Sequence, residues 1–238
     1  NIRGLAWVAI RYAATVRPRL IMLENVEEFV TWGPLTVDGA PCPKNKGRTF
    51  ASFTNALRRL GYAVDWRELR ACDYGAPTIR KRLFLIARRD GQPIVWPNPT
   101  HGDPATAAVK NKQLKPWRTA ADIIDWSIPC PSIFDRKRPL VENTMARIAR
   151  GLRRYVTEAK QPFIVDGRAC WITEHANGSS QRNMPADQPL RTQCAETKGG
   201  HFALVSAFLA KHYGGNYTGP GASLEEPLPT VTTRDHNA

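Results

Sequence analysis

This chain lacks the closely spaced cysteine pairs that mark metal and redox motifs. Cys42, Cys72, Cys130, Cys170 and Cys194 lie far apart, none forms a C-x-x-C pair, and their number is odd. A zinc cluster and a disulfide framework are both poorly supported, no metal is expected, and a reducing, intracellular compartment fits best. Long apolar runs are missing too. Stretches such as Leu83 to Ala87 fall far short of the roughly 20 residues that cross a bilayer, and no signal-peptide pattern opens the chain. Neither a membrane protein nor an exported one is expected. Methionine is scarce: the chain starts at Asn1, and the first of its three methionines is Met22. The expectation is a piece of a longer gene product. Acidic residues are outnumbered, 21 against 34 basic, a net charge of +13 over 238 residues.

The basic surplus is uneven. Residues 1 to 119 hold 20 Lys and Arg against 9 Asp and Glu, a net of +11, whereas residues 120 to 238 hold 14 against 12, a net of +2. Arginine outnumbers lysine 14 to 6 in the first half. Such a half suits a phosphate-bearing partner, because each neutralised phosphate releases counterions. A solvated basic surface is the other reading, and charge alone does not choose between them. Hydrophobic residues make up 42% of the chain, enough for a folded core.

Apolar spacing predicts the first elements. Leu5, Val8, Ala9, Tyr12 and Val16 recur at helical intervals, and Arg17-Pro18 ends that helix. Leu20 to Leu23 form a short apolar run that suits a strand buried on both faces. Asn25 is placed to cap a helix beginning with Glu27 and Glu28. Phe50, Phe53, Leu57 and Leu60 mark a further helix with Gly61 at its end, and strands are expected at Tyr62 to Trp66 and at Arg82 to Ala87. Helices alternating with apolar strands indicate an α/β layered domain. Beyond Trp96, prolines 97, 99, 104, 116, 129 and 131 break the chain into loops. One helix follows, read with Val141, Met145, Ile148 and Leu152 inward and Arg147, Arg150, Arg153 and Arg154 outward. From Phe163 onward short strands and turns are expected. A weak internal repeat lies there, Gln188 to Thr192 before His201 and Glu226 to Thr230 before His236.

Three segments carry candidate chemistry: Arg19 to Val26; Gly61 to Val64 leading to Asp73-Tyr74-Gly75-Ala76-Pro77; and Thr78 to Ala87. Glu24 falls where an apolar strand ends, the place where open α/β sheets bind ligands. A carboxyl there grips or protonates a ring nitrogen, or else serves the helix that follows. Arg80 and Arg82 alternate, so they share a face if the strand has begun, and two guanidiniums hold a phosphate, a base oxygen or a carboxylate. An ordinary basic strand edge is the alternative.

In their order these segments resemble the DNA (cytosine-5) methyltransferases. That family places Glu-Asn-Val after a buried strand, then a Gly-Tyr helix end, a Tyr-Gly-x-Pro loop and a Gln-x-Arg-x-Arg strand. Here stand Glu24-Asn25-Val26, Gly61-Tyr62, Tyr74-Gly75-Ala76-Pro77 and Thr78-Ile79-Arg80-Lys81-Arg82, while Arg3 to Trp7 looks like the segment before the Glu-Asn-Val strand. The likeness covers residues 1 to about 90. Thr78 replaces the family's glutamine. The Phe-x-Gly cofactor loop, the Pro-Cys nucleophile loop and the final cofactor segment of the family do not occur in these residues. Pro41-Cys42-Pro43 looks like a Pro-Cys loop but follows Glu24 instead of preceding it, and Cys42 is read as a loop cysteine.

The resemblance implies an α/β fold, a partial Rossmann-like S-adenosylmethionine-dependent methyltransferase domain followed by a β-rich target recognition region. Residues 1–95 would be the C-terminal part of the catalytic domain, 96–160 a loop-rich connector with one helix, and 161–238 the recognition region. It also implies chemistry. A cysteine thiolate adds to C6 of a cytosine flipped out of double-stranded DNA, Glu24 acts as general acid at N3, and C5 then takes the methyl group of S-adenosylmethionine. Arg82 would hold the base oxygen and orient Glu24, and Arg80 would support the site or bind backbone phosphate. Leu5 and Ala6 are the candidates for cofactor contact. The isolated chain is expected to bind the cofactor weakly or not at all and to be inactive. The cytoplasm or nucleoid of a bacterium, or a phage-infected cell, is the expected location. A non-catalytic DNA-binding relative is the alternative. Methylation of an exocyclic amino group would need a Pro-Pro-aromatic motif, and no Pro-Pro pair occurs. Arg191, Thr192, Thr230 and Arg234 are possible DNA contacts, although ordinary turn residues describe them as well.

Overall fold

A computed structural model describes residues 5–175, 183–193, 201–208 and 223–225. The chain divides into two compact units, Asn1–Pro116 and Trp117–Ala238. The fold is mixed α/β.

The first unit begins with helix α1 (Ala6–Val16), strand β1 (Leu20–Asn25), helix α2 (Arg48–Arg59) and strands β2 (Ala63–Arg70) and β3 (Lys81–Arg88). The sheet order is β1-β3-β2, with β3 antiparallel to both neighbours. Its helix-covered face holds the core: Leu83, Leu85 and Ala87 of β3 meet Ala13 of α1, Phe50, Phe53 and Leu57 of α2, and Phe29. Helix α2 ends as its glycine requires. Gly61 takes φ 88°, its N–H donates to Arg58 O, and the Tyr62 N–H donates to Leu57 O, a Schellman closure. The Tyr62 hydroxyl then donates to Pro18 O at 2.7 Å and ties this end to the turn before β1.

Three expectations for this unit are overturned. The inner face of α1 is Ala6, Ala9, Ile10 and Ala13, while Leu5, Val8, Tyr12 and Val16 are exposed. Small alanines let the helix lie close to the core, and that close approach outweighs the bulk of the other stripe. Strand β1 is not buried on both faces: Leu20 and Met22 are exposed, Met22 at 72% of its surface, and only the alternate residues Ile21 and Leu23 pack inward. The segment after Asn25 is a single 3-10 turn (Glu27–Thr31), and Val26, not Asn25, precedes it. The Asn25 side chain instead accepts from the Val26 N–H.

Residues beyond β3 pack within the first unit. Trp96 donates from Nε1 to Asp65 Oδ2 at 2.7 Å, and the Arg67 guanidinium lies over its ring. Short strands β4 (His101–Gly102) and β5 (Lys115–Pro116) pair in parallel on either side of helix α3 (Ala107–Lys110).

In the second unit helix α4 (Glu142–Leu152) precedes strands β6 (Ile164–Val165), β7 (Arg168–His175), β8 (Asn183–Pro185) and β9 (His201–Ala207). Strand β7 is central: β9 runs antiparallel along one edge, and β6 and β8 share the other. Asp166 and Gly167, both at positive φ, form the two-residue turn from β6 to β7. The expected inner stripe of α4 is corrected here. Arg147 is buried at 5% exposure and donates from Nε to Thr173 Oγ1 at 3.0 Å, whereas Val141 and Leu152 are exposed. The cause is Gly151. A Cβ there would fall 2.1 Å from Trp171 Nε1, so the helix sits directly on the indole and turns Arg147 toward the sheet. The first half of the repeat, Gln188 to Thr192, is described; the second half lies outside the described residues.

Candidate active site

Glu24 and Arg82 meet at the carboxyl end of β1. The register pairs Glu24 with Phe84, and Arg82 lies two residues from Phe84, so all three share one face of the sheet. That is the face away from the helices. Arg82 Nε stands 3.1 Å from Glu24 Oε1, and Arg82 Nη1 donates to Lys81 O at 2.8 Å. The guanidinium is thus held by one hydrogen bond and one ion pair, and its side chain is 21% exposed. The Glu24 carboxylate, at 50% exposure, keeps an open side. A carboxyl group held by one ion pair and open on its other side can hydrogen-bond or protonate an incoming ring nitrogen.

Arg80 stands differently. Strand β3 begins at Lys81, so Arg80 belongs to the loop before it. Its N–H donates to Thr78 Oγ1 and its carbonyl accepts from the Ala71 N–H. No described contact joins its guanidinium to Glu24. The loop is nevertheless firmly shaped. Residues 71–74 form a 3-10 turn that ends at Gly75, with φ 90°. The backbone conformation there favours glycine, and a Cβ would also crowd the His101 ring, 2.9 Å from its Cε1. The Thr100 N–H donates to Asp73 O and buttresses the same turn from outside.

The remaining candidates are scattered. Leu5 is exposed at the start of α1, and Ala6 faces the core. Cys42 stays within its own loop, where Asn45 Nδ2 donates to its Sγ at 3.3 Å and draws the thiol below its ordinary range. Cys72 and Cys170 are pushed up to about 11 by burial. Arg191 is the counter-ion of Glu174, a buried carboxylate on β7, at 3.1 Å. Thr230 and Arg234 lie outside the described residues. Among the described residues no three His, Cys, Asp or Glu side chains gather as a metal set would, and no helix is long and apolar enough to cross a membrane.

Lys81 was not legible as a candidate. One residue before Arg82 and on the opposite face of β3, its Nζ lies 3.0 Å from Glu27 Oε2 and also contacts the Glu68 carboxylate. Glu68 first and Glu27 second hold its ammonium above the ordinary lysine range. Only the sheet register brings Glu68 within reach, and neighbouring sequence gives no sign of it.

The model of the C-5 cytosine-specific DNA methylase family matches residues 1–127. Among curated proteins, the Type II methyltransferase M1.HphI of Haemophilus parahaemolyticus is 34% identical over 92 residues, 39% of this chain and 22% of its own length. The Type II methyltransferase M.AquIA of Picosynechococcus sp. is 30% identical over 119 residues, 48% of this chain and 46% of its own. DNA (cytosine-5)-methyltransferase 1A of Oryza sativa subsp. japonica is 36% identical over 93 residues, 39% of this chain and 5% of its own. The chain thus spans less than half the length of these relatives.

Proposed function

Because the chain belongs to the C-5 cytosine-specific DNA methylase family, we propose that it supplies the base-activating part of a DNA (cytosine-5) methyltransferase. The observation that carries this reading is the contact of Glu24 Oε1 with Arg82 Nε at the carboxyl end of β1. On this reading residues 1–95 are the C-terminal part of a Rossmann-like catalytic domain, 96–160 a connector, and 161–238 a β-rich target recognition region.

C5 of cytosine is a poor nucleophile. A thiolate adding to C6 makes C5 reactive, and the electron pair that this addition drives into the ring is stabilised when N3 gains a proton or a strong hydrogen bond. Glu24 is the donor at N3. Arg82 orients its carboxyl and leaves one side free for the base, and Arg80, outside that pair, is assigned to site support or to backbone phosphate. The basic first half attracts double-stranded DNA, and flipping the base costs a few kcal/mol.

S-adenosylmethionine would supply the methyl group. Of its two candidate contacts only Leu5 is exposed, while Ala6 packs toward the core, and neither side chain can hydrogen-bond its ribose or amino-acid groups. The 238-residue chain alone is therefore expected to hold the cofactor weakly or not at all. Incubation with DNA and labelled S-adenosylmethionine tests the reading. The full gene product is expected to label C5 of cytosine, and the isolated chain to label nothing. Label on an exocyclic amino group, or transfer by the isolated chain, would contradict it.

A further inference from the structure

The first two residues of β3 act on opposite faces of the sheet. Arg82 reaches Glu24 on one face, and Lys81 reaches Glu27 on the other. Glu24 and Glu27 flank Asn25-Val26, where the chain leaves β1 and turns away. Further along the turn Phe29 is fully buried among Trp32, Phe50 and Phe53, with ring centroids 4.9 to 5.4 Å apart. The far end of the turn is therefore fixed by packing. The near end, next to Glu24, is held by Lys81. Glu68 of β2 reaches the same ammonium, so without it the Glu27 and Glu68 carboxylates would face each other as like charges. Their repulsion would push the turn away from β2 and carry the end of β1 with it.

We infer that Lys81 is a positioning residue for Glu24, an ionic clamp from Glu27 to Glu68 that fixes where the chain leaves β1 and so where the Glu24 carboxyl points. The inference rests on the reading of Glu24 given above. Lys81 and Glu27 are each about two-fifths exposed, at 39% and 42%. Solvent screens such a pair, so its contribution to stability is small. Its effect on rate need not be, since a displacement of about 1 Å at a reacting group costs up to ~10²-fold.

The test is made in the full gene product with Lys81→Met, Lys81→Arg, and the exchange of Lys81→Glu with Glu27→Lys. The exchange keeps one ammonium among two carboxylates and leaves the net charge unchanged. Lys81→Met is expected to lower kcat by about tenfold, within the cost of a small misplacement, and to leave KM for DNA unchanged. The Arg82 guanidinium N–H groups, no longer shielded by the Glu24 carboxylate beside them, are expected to exchange with solvent faster in NMR of arginine-labelled protein. Lys81→Arg and the charge exchange are expected to restore both. Wild-type kcat and wild-type Arg82 exchange in Lys81→Met would overturn the clamp. So would a raised KM at constant kcat, the mark of a lysine that serves only DNA attraction, or a charge exchange that restores nothing. Failure of the underlying reading looks different: Glu24→Gln would then turn over at the wild-type rate while Arg82 exchange still responded to Lys81→Met.

Discussion

Glu24→Gln in the full gene product is expected to lower kcat for methyl transfer by about 10²–10⁴-fold, the range a single general acid carries. Glutamine has nearly the same shape, and its amide can still hydrogen-bond a ring nitrogen. It cannot give up a proton, and it removes the negative charge that pairs with Arg82 at 3.1 Å. The loss should therefore appear in kcat with DNA binding retained, because the exposed arginines of the first half are untouched. A single-turnover assay separates this loss of chemistry from slow product release. A Glu24→Gln enzyme at the wild-type rate would remove Glu24 from the reaction and leave it as a partner of Arg82 only.

Phe53→Ala is expected to destabilise the first unit by about 3–5 kcal/mol, the usual cost of emptying a buried aromatic site. Phe53 is 1% exposed and stacks edge-on with Trp7 of α1 at 6.0 Å and with Phe29 at 5.4 Å. The cavity would lie between the helix that covers the sheet and the turn that follows Glu24. Both the fold and the site geometry depend on the same ring. Urea denaturation followed by tryptophan fluorescence measures the effect. A change under about 1 kcal/mol, typical of a surface substitution, would show that this aromatic cluster is not the core.

Glu24 and Arg82 were each legible from a local rule, and only the family resemblance joined them. An apolar run ended at a carboxyl, and an alternating Arg-x-Arg opened a second apolar run. Antiparallel pairing of Leu20 to Asn25 with Leu83 to Arg88 then laid them on one face. Helix α2 was legible for the same reason, since its aromatic stripe and Gly61 point to one answer. The faces of α1 and α4 were not, because in each case small residues overrode large ones. Alanines drew α1 to the core by their less bulky side, and Gly151 seated α4 on Trp171, which put a buried, hydrogen-bonded Arg147 where sequence reading places solvent. The Asp166-Gly167 turn carries a local signal of its own, a two-residue hairpin marker between apolar segments. The Lys81 clamp gave no local signal. Its carboxylates lie on a neighbouring strand and on the turn after β1, and only the register of three strands brings them together.

If these residues activate cytosine for attack at C6, the attacking thiolate can be captured covalently on the base. Duplex DNA carrying cytosine with fluorine at C5 is incubated with the full gene product and S-adenosylmethionine. Once the methyl group is added, fluorine occupies the place of the C5 proton that a base must remove to expel the thiolate, so the thiolate stays bonded to C6. A protein–DNA adduct that survives denaturation is expected, and Glu24→Gln should slow its formation. Salt-sensitive DNA binding with no adduct would contradict that role and identify a DNA-binding relative that does not perform the reaction.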